Sequence, residues 1–182
     1  MTNAVYNRGA IWFHWTIALL IIVNIAIAFG HDLLPRPDRG LVMGWHKAIG
    51  IAVLALSIGR IGWRLAHPRP PFVETMKGWE VALARFTHAA FYVLIVALPL
   101  SGWIWMSAGE TRRPISFFGL FDIPFLPVAQ SKAGGEIGHE MHELMGYAMT
   151  ALVALHILAA LKHQLVDKDT VLARMVPALR RG

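Results

Sequence analysis

The sequence contains no cysteine. Its absence rules out disulfides, cysteine-ligated zinc, iron–sulfur clusters and the thioether attachment of a c-type haem. Charge is scarce as well. Charged residues make up 15% of the 182 positions and only 11 are acidic, where soluble domains run near a quarter charged. There is no dense basic run to account for the net charge of +6. That charge reads as loop ends gripping anionic lipid headgroups, and nucleic acid is not expected as a partner.

What the sequence does have is hydrophobicity, 56% of all residues, gathered into four runs near the length of about 20 residues that spans a bilayer. They cover about 10–29, 44–65, 86–106 and 138–161, and predict an all-α, integral membrane four-helix bundle formed by the whole chain, 1–182, as one domain. Pro99 falls inside the third run, where neighbouring helices can satisfy the carbonyl it frees. Arg8 and the Ala26-Ile27-Ala28 stretch give the first run a faint likeness to a secretory leader. Its length, and His14-Trp15 at its start, favour a retained helix. The longest connection, about 107–135, is rich in Phe and Pro and reads as an interfacial connector, with partner docking as the alternative.

An even number of spans puts both termini on one side. Arg8, Arg60, Arg64, Arg69, Lys77, Arg85, Lys162, Lys168, Arg174, Arg180 and Arg181 fall on that side. Arg36, Arg39, Lys47, Arg112, Arg113 and Lys132 fall on the other. The excess predicts cytoplasmic termini.

Ionisable residues inside a span are costly and are functional candidates by default. Five of the nine histidines qualify: His14, His46, His88, His142 and His156. His31, His67, His139 and His163 fall in loops or at span ends and read as interfacial or solvated. His142 and His156 are 14 residues apart on one helix, so they face within about 40° of each other and about 21 Å apart along the axis. That is too far for one metal and suits two sites stacked across the bilayer.

A short internal repeat links one of them to the second span. His46-Lys47-Ala48-Ile49-Gly50-Ile51-Ala52 and His142-Glu143-Leu144-Met145-Gly146-Tyr147-Ala148 share His-x-x-x-Gly-x-Ala. A glycine one turn beyond a histidine lets a flat macrocycle lie against the backbone; close helix packing asks for the same glycines but gives no reason for buried histidines. The repeat pairs His46 with His142 on the outer side. The inner pair comes from His14, His88 and His156. His14 and His156 each lie six residues inside a cation, Arg8 and Lys162, and match in depth. His88, close to Arg85, reads as shallower: a substrate contact, a supporting residue or, preferably, an interfacial histidine.

Two histidines from two helices, with no carboxylate or thiolate to complete a shell, suit an iron porphyrin better than a bare ion. Two axial imidazoles saturate the iron and favour electron transfer over oxygen binding. The reading is two haem b groups, held by His46–His142 and His14–His156. Lys47 and Arg60 are candidates to pair with propionates or to snorkel toward headgroups.

At these residues the chain resembles the bacterial dihaem cytochrome b561 family, four-helix cytochromes of the inner membrane. The resemblance is carried by Phe13-His14-Trp15, Gly44-Trp45-His46-Lys47-Ala48-Ile49-Gly50, Leu98-Pro99-Leu100-Ser101-Gly102-Trp103, His142 and Leu155-His156-Ile157. It implies His14, His46, His142 and His156 as axial ligands, and electron transfer between a donor outside the membrane and the quinone pool. Some members are understood to oxidise superoxide and reduce ubiquinone. Lys47, Arg112 and Arg113, with Arg36, Arg39 and Lys132, form a basic outer face suited to steering a small anion or to binding headgroups. No motif defines a quinone site; a groove near His88 and Arg85 is the expected vicinity. Two other functions fit less well: the cytochrome b subunit of a larger oxidoreductase, docked through 107–135, and a small proton or ion transporter using the histidines as relays.

Overall fold

The computed structural model describes residues 5–179; Arg180 and Arg181, counted above among the basic residues, lie outside them. Four long helices dominate: α1 (Arg8–Gly30), α2 (Arg36–Ala66), α3 (Gly78–Ala108) and α4 (Lys132–Lys162). All four are long and apolar enough to cross a membrane. They alternate in direction, so one end of the bundle carries both termini and the α2–α3 connection. The opposite end carries the α1–α2 and α3–α4 connections.

Helices α2, α3 and α4 start well before the apolar runs that mark them in the sequence. A helix of 31 residues is about 46 Å long, beyond the roughly 30 Å hydrocarbon core, so the extra turns stand in the headgroup region and carry polar residues. Each start has a local cause. Asn7 Oδ1 accepts from Ala10 N–H at 2.8 Å, and Ser131 Oγ accepts from Gly134 N–H at 3.0 Å. Glu80 accepts from Lys77 N–H at 2.8 Å, and Pro37 sits in the first turn of α2.

The packing is inside-out relative to a soluble protein. The buried cluster is small, Ile17 of α1 with Ile49 and Val53 of α2, flanked by Phe13, Leu20 and Leu56. Leu19, Ile22, Val93, Leu144 and Leu158 point outward and are exposed, as side chains bathed by lipid can be. Helix α1 packs chiefly on α2, and α3 on α4, with α2 also touching α3. Helices α3 and α4 approach closely at Gly138, where a Cβ would stand 2.9 Å from the backbone of Trp105.

The connection between α3 and α4 is more ordered than a plain interfacial connector. Strands β1 (Ile115–Phe117) and β2 (Phe121–Ile123) form an antiparallel hairpin, turned through Phe118 and Gly119 at positive φ, and β1 packs against α2. Arg112 holds the segment down: its Nε donates to Ser107 O at 2.8 Å, its Nη2 to Val128 O at 3.1 Å, and it lies over the Phe125 ring. At the terminal end, the chain beyond α4 makes a π-turn (His163–Asp167) and then crosses the bundle. Trp15 Nε1 donates to Met175 O at 2.9 Å, and Arg174 donates to Pro71 O.

Candidate functional site

Histidines from opposite helix pairs meet in two clusters. At the hairpin end, His46 of α2 faces His142 of α4 with ring centres 6.0 Å apart. Both rings are anchored through Nδ1. His46 Nδ1 lies 3.3 Å from Asn24 O, and His142 Nδ1 lies 3.1 Å from both Leu98 O and Ser101 Oγ. The Ser101 hydroxyl gives its own proton to Leu98 O at 2.7 Å, so toward the imidazole it can only accept. The network therefore assigns the proton of each ring to Nδ1 and leaves Nε2 as the coordinating nitrogen, the support that metal-binding histidines ordinarily have.

Gly102 makes this possible. A Cβ there would stand 2.9 Å from Cε1 and 3.0 Å from Nδ1 of His142, so only glycine lets the ring lie against α3. The Leu98–Trp103 motif is thus a seat for His142, and Ser101 and Gly102 are functional residues the sequence reading did not single out. The signal was present: a Ser-Gly pair one turn past a proline on a span that supplies no ligand to either pair.

At the terminal end, His14 of α1 and His156 of α4 have ring centres 6.2 Å apart. His88 of α3 lies 6.1 Å from His156. Phe91 packs on the edge of His156 at 5.3 Å. Arg60 of α2 is within electrostatic reach of His14, His88 and His156, and its guanidinium lies 5.7 Å over Tyr92. His88, expected to be shallow and interfacial, comes as close to His156 as His14 does. Depth had been gauged from Arg85, whose long side chain reaches away to lie 5.8 Å from the Phe72 ring, so its position in sequence does not mark the interface.

Each of these spacings, that of His88 and His156 included, would suit one iron between two rings. An imidazole nitrogen binds a transition metal at about 2.1 Å with its ring centre about 1.1 Å behind, so two axial imidazoles hold their centres roughly 6.4 Å apart. The glycines of the repeat give a second test. A Cβ at Gly50 or Gly146 would meet nothing within 4 Å, so close helix packing does not explain them, and the space beside His46 and His142 is open to a flat macrocycle.

The outer cations divide. Arg112 is bound into the connection, as described. Arg113 is exposed and within electrostatic reach of Lys47, and neither makes an ion pair among the described residues. Of the remaining histidines, His67 stacks on Trp63 at 4.2 Å, and His139 lies 4.4 Å from Trp105. His31 bonds Ala28 O at 2.9 Å. His163 is the exception to the solvated reading: it is buried, because the π-turn folds Asp167 and Asp169 over it.

The sequence profile of the prokaryotic cytochrome b561 family matches residues 5–178. Among characterised proteins, the chain is 30% identical to cytochrome b561 homolog 2 of Escherichia coli K12, over 96% of this chain and 94% of that one. It is 32% identical to the probable superoxide oxidase CybB of Yersinia pestis, over 96% and 97%. Identity to cytochrome b562 of Cereibacter sphaeroides is 28%, over 94% of each chain.

Proposed function

The chain belongs to the prokaryotic cytochrome b561 family of membrane electron-transfer proteins, and we propose that it passes electrons from a periplasmic donor, superoxide in the sharpest version, to ubiquinone. The observation that carries this reading is the pair of histidine meetings, 6.0 and 6.2 Å between ring centres, built on one face of α4. His46 and His142 would hold the outer of two b-type haems, and His14 and His156 the inner. When bound, these groups supply one-electron relay across the bilayer. The chain orients the ligands through Leu98 O, Ser101 and Asn24 O, and its lipid-facing shell keeps water from the sites. Both termini are taken as cytoplasmic, which places the hairpin end on the donor side.

Lys47 and Arg113 suit an anionic donor. Two neighbouring cations with no ion-pair partner among the described residues raise the local concentration of small anions and speed their arrival. Two superoxide anions lose one electron each and leave as dioxygen; ubiquinone takes up those two electrons and two protons and becomes the quinol. The relative named as a probable superoxide oxidase supports this choice of donor.

The purified protein, given superoxide and a soluble ubiquinone, should form one quinol for every two superoxide anions and release no hydrogen peroxide beyond the uncatalysed background. Peroxide in proportion to superoxide consumed, without quinol, would refute the reading. A reduced-minus-oxidised spectrum should show two low-spin b-type haems per chain, both extractable by acid solvent because no cysteine tethers them.

Replacing Lys47 and Arg113 together by glutamate should lower the second-order rate with superoxide about tenfold or more at low salt and reverse its ionic-strength dependence. Haem content should stay unchanged. An unaltered rate and salt profile would remove these residues from the steering role.

A further inference from the structure

Helix α4 carries one more imidazole on the stripe that holds its two candidate ligands. His142, Met149, His156 and His163 follow one another at intervals of seven, each step turning only about 20° around the helix. Met149 and His163 are both buried. Two turns beyond His156 the α-helix opens into the π-turn, Lys168 reverses the chain at φ 52°, and Asp169 is carried back to the His163 ring.

The result is an oriented carboxylate–imidazole pair. Asp169 Oδ2 lies 2.6 Å from His163 Nδ1, while Asp169 Oδ1 is fixed by the Val171 N–H at 2.9 Å. The two side chains are 6% and 10% exposed. With Nδ1 directed at Asp169, Nε2 is the exchanging end, and it has no hydrogen-bond partner among the described residues. This is how a carboxylate fixes an imidazole in acid–base catalysis.

The surroundings connect the pair to water. Asp167 lies 3.2 Å from the same ring nitrogen. Lys162 bonds Asp167 at 2.7 Å and Glu80 of α3 at 2.5 Å, and Glu80 is within electrostatic reach of His163. From the α2–α3 connection, Thr75 and Lys77 join Glu80, Asp167 and Asp169 around a polar cavity of about 180 Å³. Three carboxylates, Glu80, Asp167 and Asp169, stand here with two ammonium groups, Lys77 and Lys162, a balance that leaves room for one further positive charge. His163 is thus buried two turns along from His156, and the carboxylates that contact its ring line a polar cavity.

We propose that His163, oriented by Asp169, is the proton donor to the quinone reduced at the terminal end. This rests on the quinone half of the proposed function. As two electrons reach the quinone from the reduced protein, each of its oxygens takes up a proton. His163 Nε2–H gives a proton to a quinone oxygen, the ring is left neutral, and it is reloaded from the cavity before the second transfer.

The test uses the full-length holoprotein, reduced with dithionite and mixed without oxygen with a short-chain ubiquinone, following haem reoxidation optically. In the wild type the rate should fall as the pH is raised, since only the protonated ring donates. His163→Gln should slow reoxidation at least about tenfold and flatten that pH profile. Asp169→Asn should slow it while keeping a pH dependence, because the imidazole remains but is no longer aimed. Haem content should be unchanged in both. Wild-type rates and pH profiles in the two variants overturn the proposal, as does a slowing that follows from haem loss. A wild type that short-chain ubiquinone does not reoxidise would instead defeat the quinone reading itself.

Discussion

Replacing His142 by alanine should leave one haem in place of two, with the survivor retaining a low-spin spectrum. The expectation follows from the geometry at the hairpin end, where His142 is one of two imidazoles at a spacing suited to a single iron. Without it His46 alone remains, and the outer haem would lose one of the two protein bonds that hold it. The effect should exceed the 10–100-fold loss typical when only a supporting partner of a ligand is removed. The helix itself should not suffer, since alanine is the strongest helix former. The same measurement sorts the terminal-end cluster. His156 is common to both close pairs there, so His156→Ala should remove the inner haem. His14→Ala should do likewise, and His88→Ala should leave both haems present. Full double occupancy in His142→Ala, or loss of the inner haem in His88→Ala but not in His14→Ala, would break the proposed pairing.

Much of this was legible in the sequence, and the reasons are physical. Lipid imposes a length and a hydropathy on every span, so the number of helices follows from four apolar runs with little help from tertiary contacts. Buried histidines are costly enough to stand out on their own, and a 14-residue interval on one helix fixes both face and depth. What stayed hidden depended on side chains that bend or on contacts between distant segments. The closeness of His88 to His156 was not foreseen because depth was gauged from Arg85, whose side chain extends away from its own backbone position. Burial of His163 required a reversal at Lys168, which takes a left-handed conformation with no glycine to announce it. Arg112 reads as a free surface cation until Ser107, Phe125 and Val128 are seen around it. The hairpin at 115–123 does alternate, Ile-Ser-Phe against Phe-Asp-Ile, but each strand is only three residues long and flanked by proline, too short a run for the pattern to stand out.

The second large effect should come from a residue that touches no metal. Gly102→Ala adds one carbon, 2.9 Å from Cε1 of His142 and 3.0 Å from Nδ1. Neither side can yield cheaply, since the added atom is fixed to the backbone of α3 and the ring is held by Leu98 O and Ser101 Oγ. The imidazole must swing away, which breaks those bonds, frees its tautomer and moves Nε2 off the line to His46. Haem titration of the apoprotein should then show outer-site affinity lowered at least about tenfold, with the inner site untouched. Alanine favours a helix over glycine by about 1 kcal/mol, so the melting temperature of the apoprotein should hold or rise while the outer site weakens, a divergence that general misfolding does not produce. Ser101→Ala is the milder companion: it removes one of the two acceptors at Nδ1 and leaves Leu98 O, so the outer haem should bind more weakly but remain. An outer haem bound with undiminished affinity in Gly102→Ala would mean that His142 does not sit against α3 when it holds iron, and the role assigned to the Leu98–Trp103 segment would go with it.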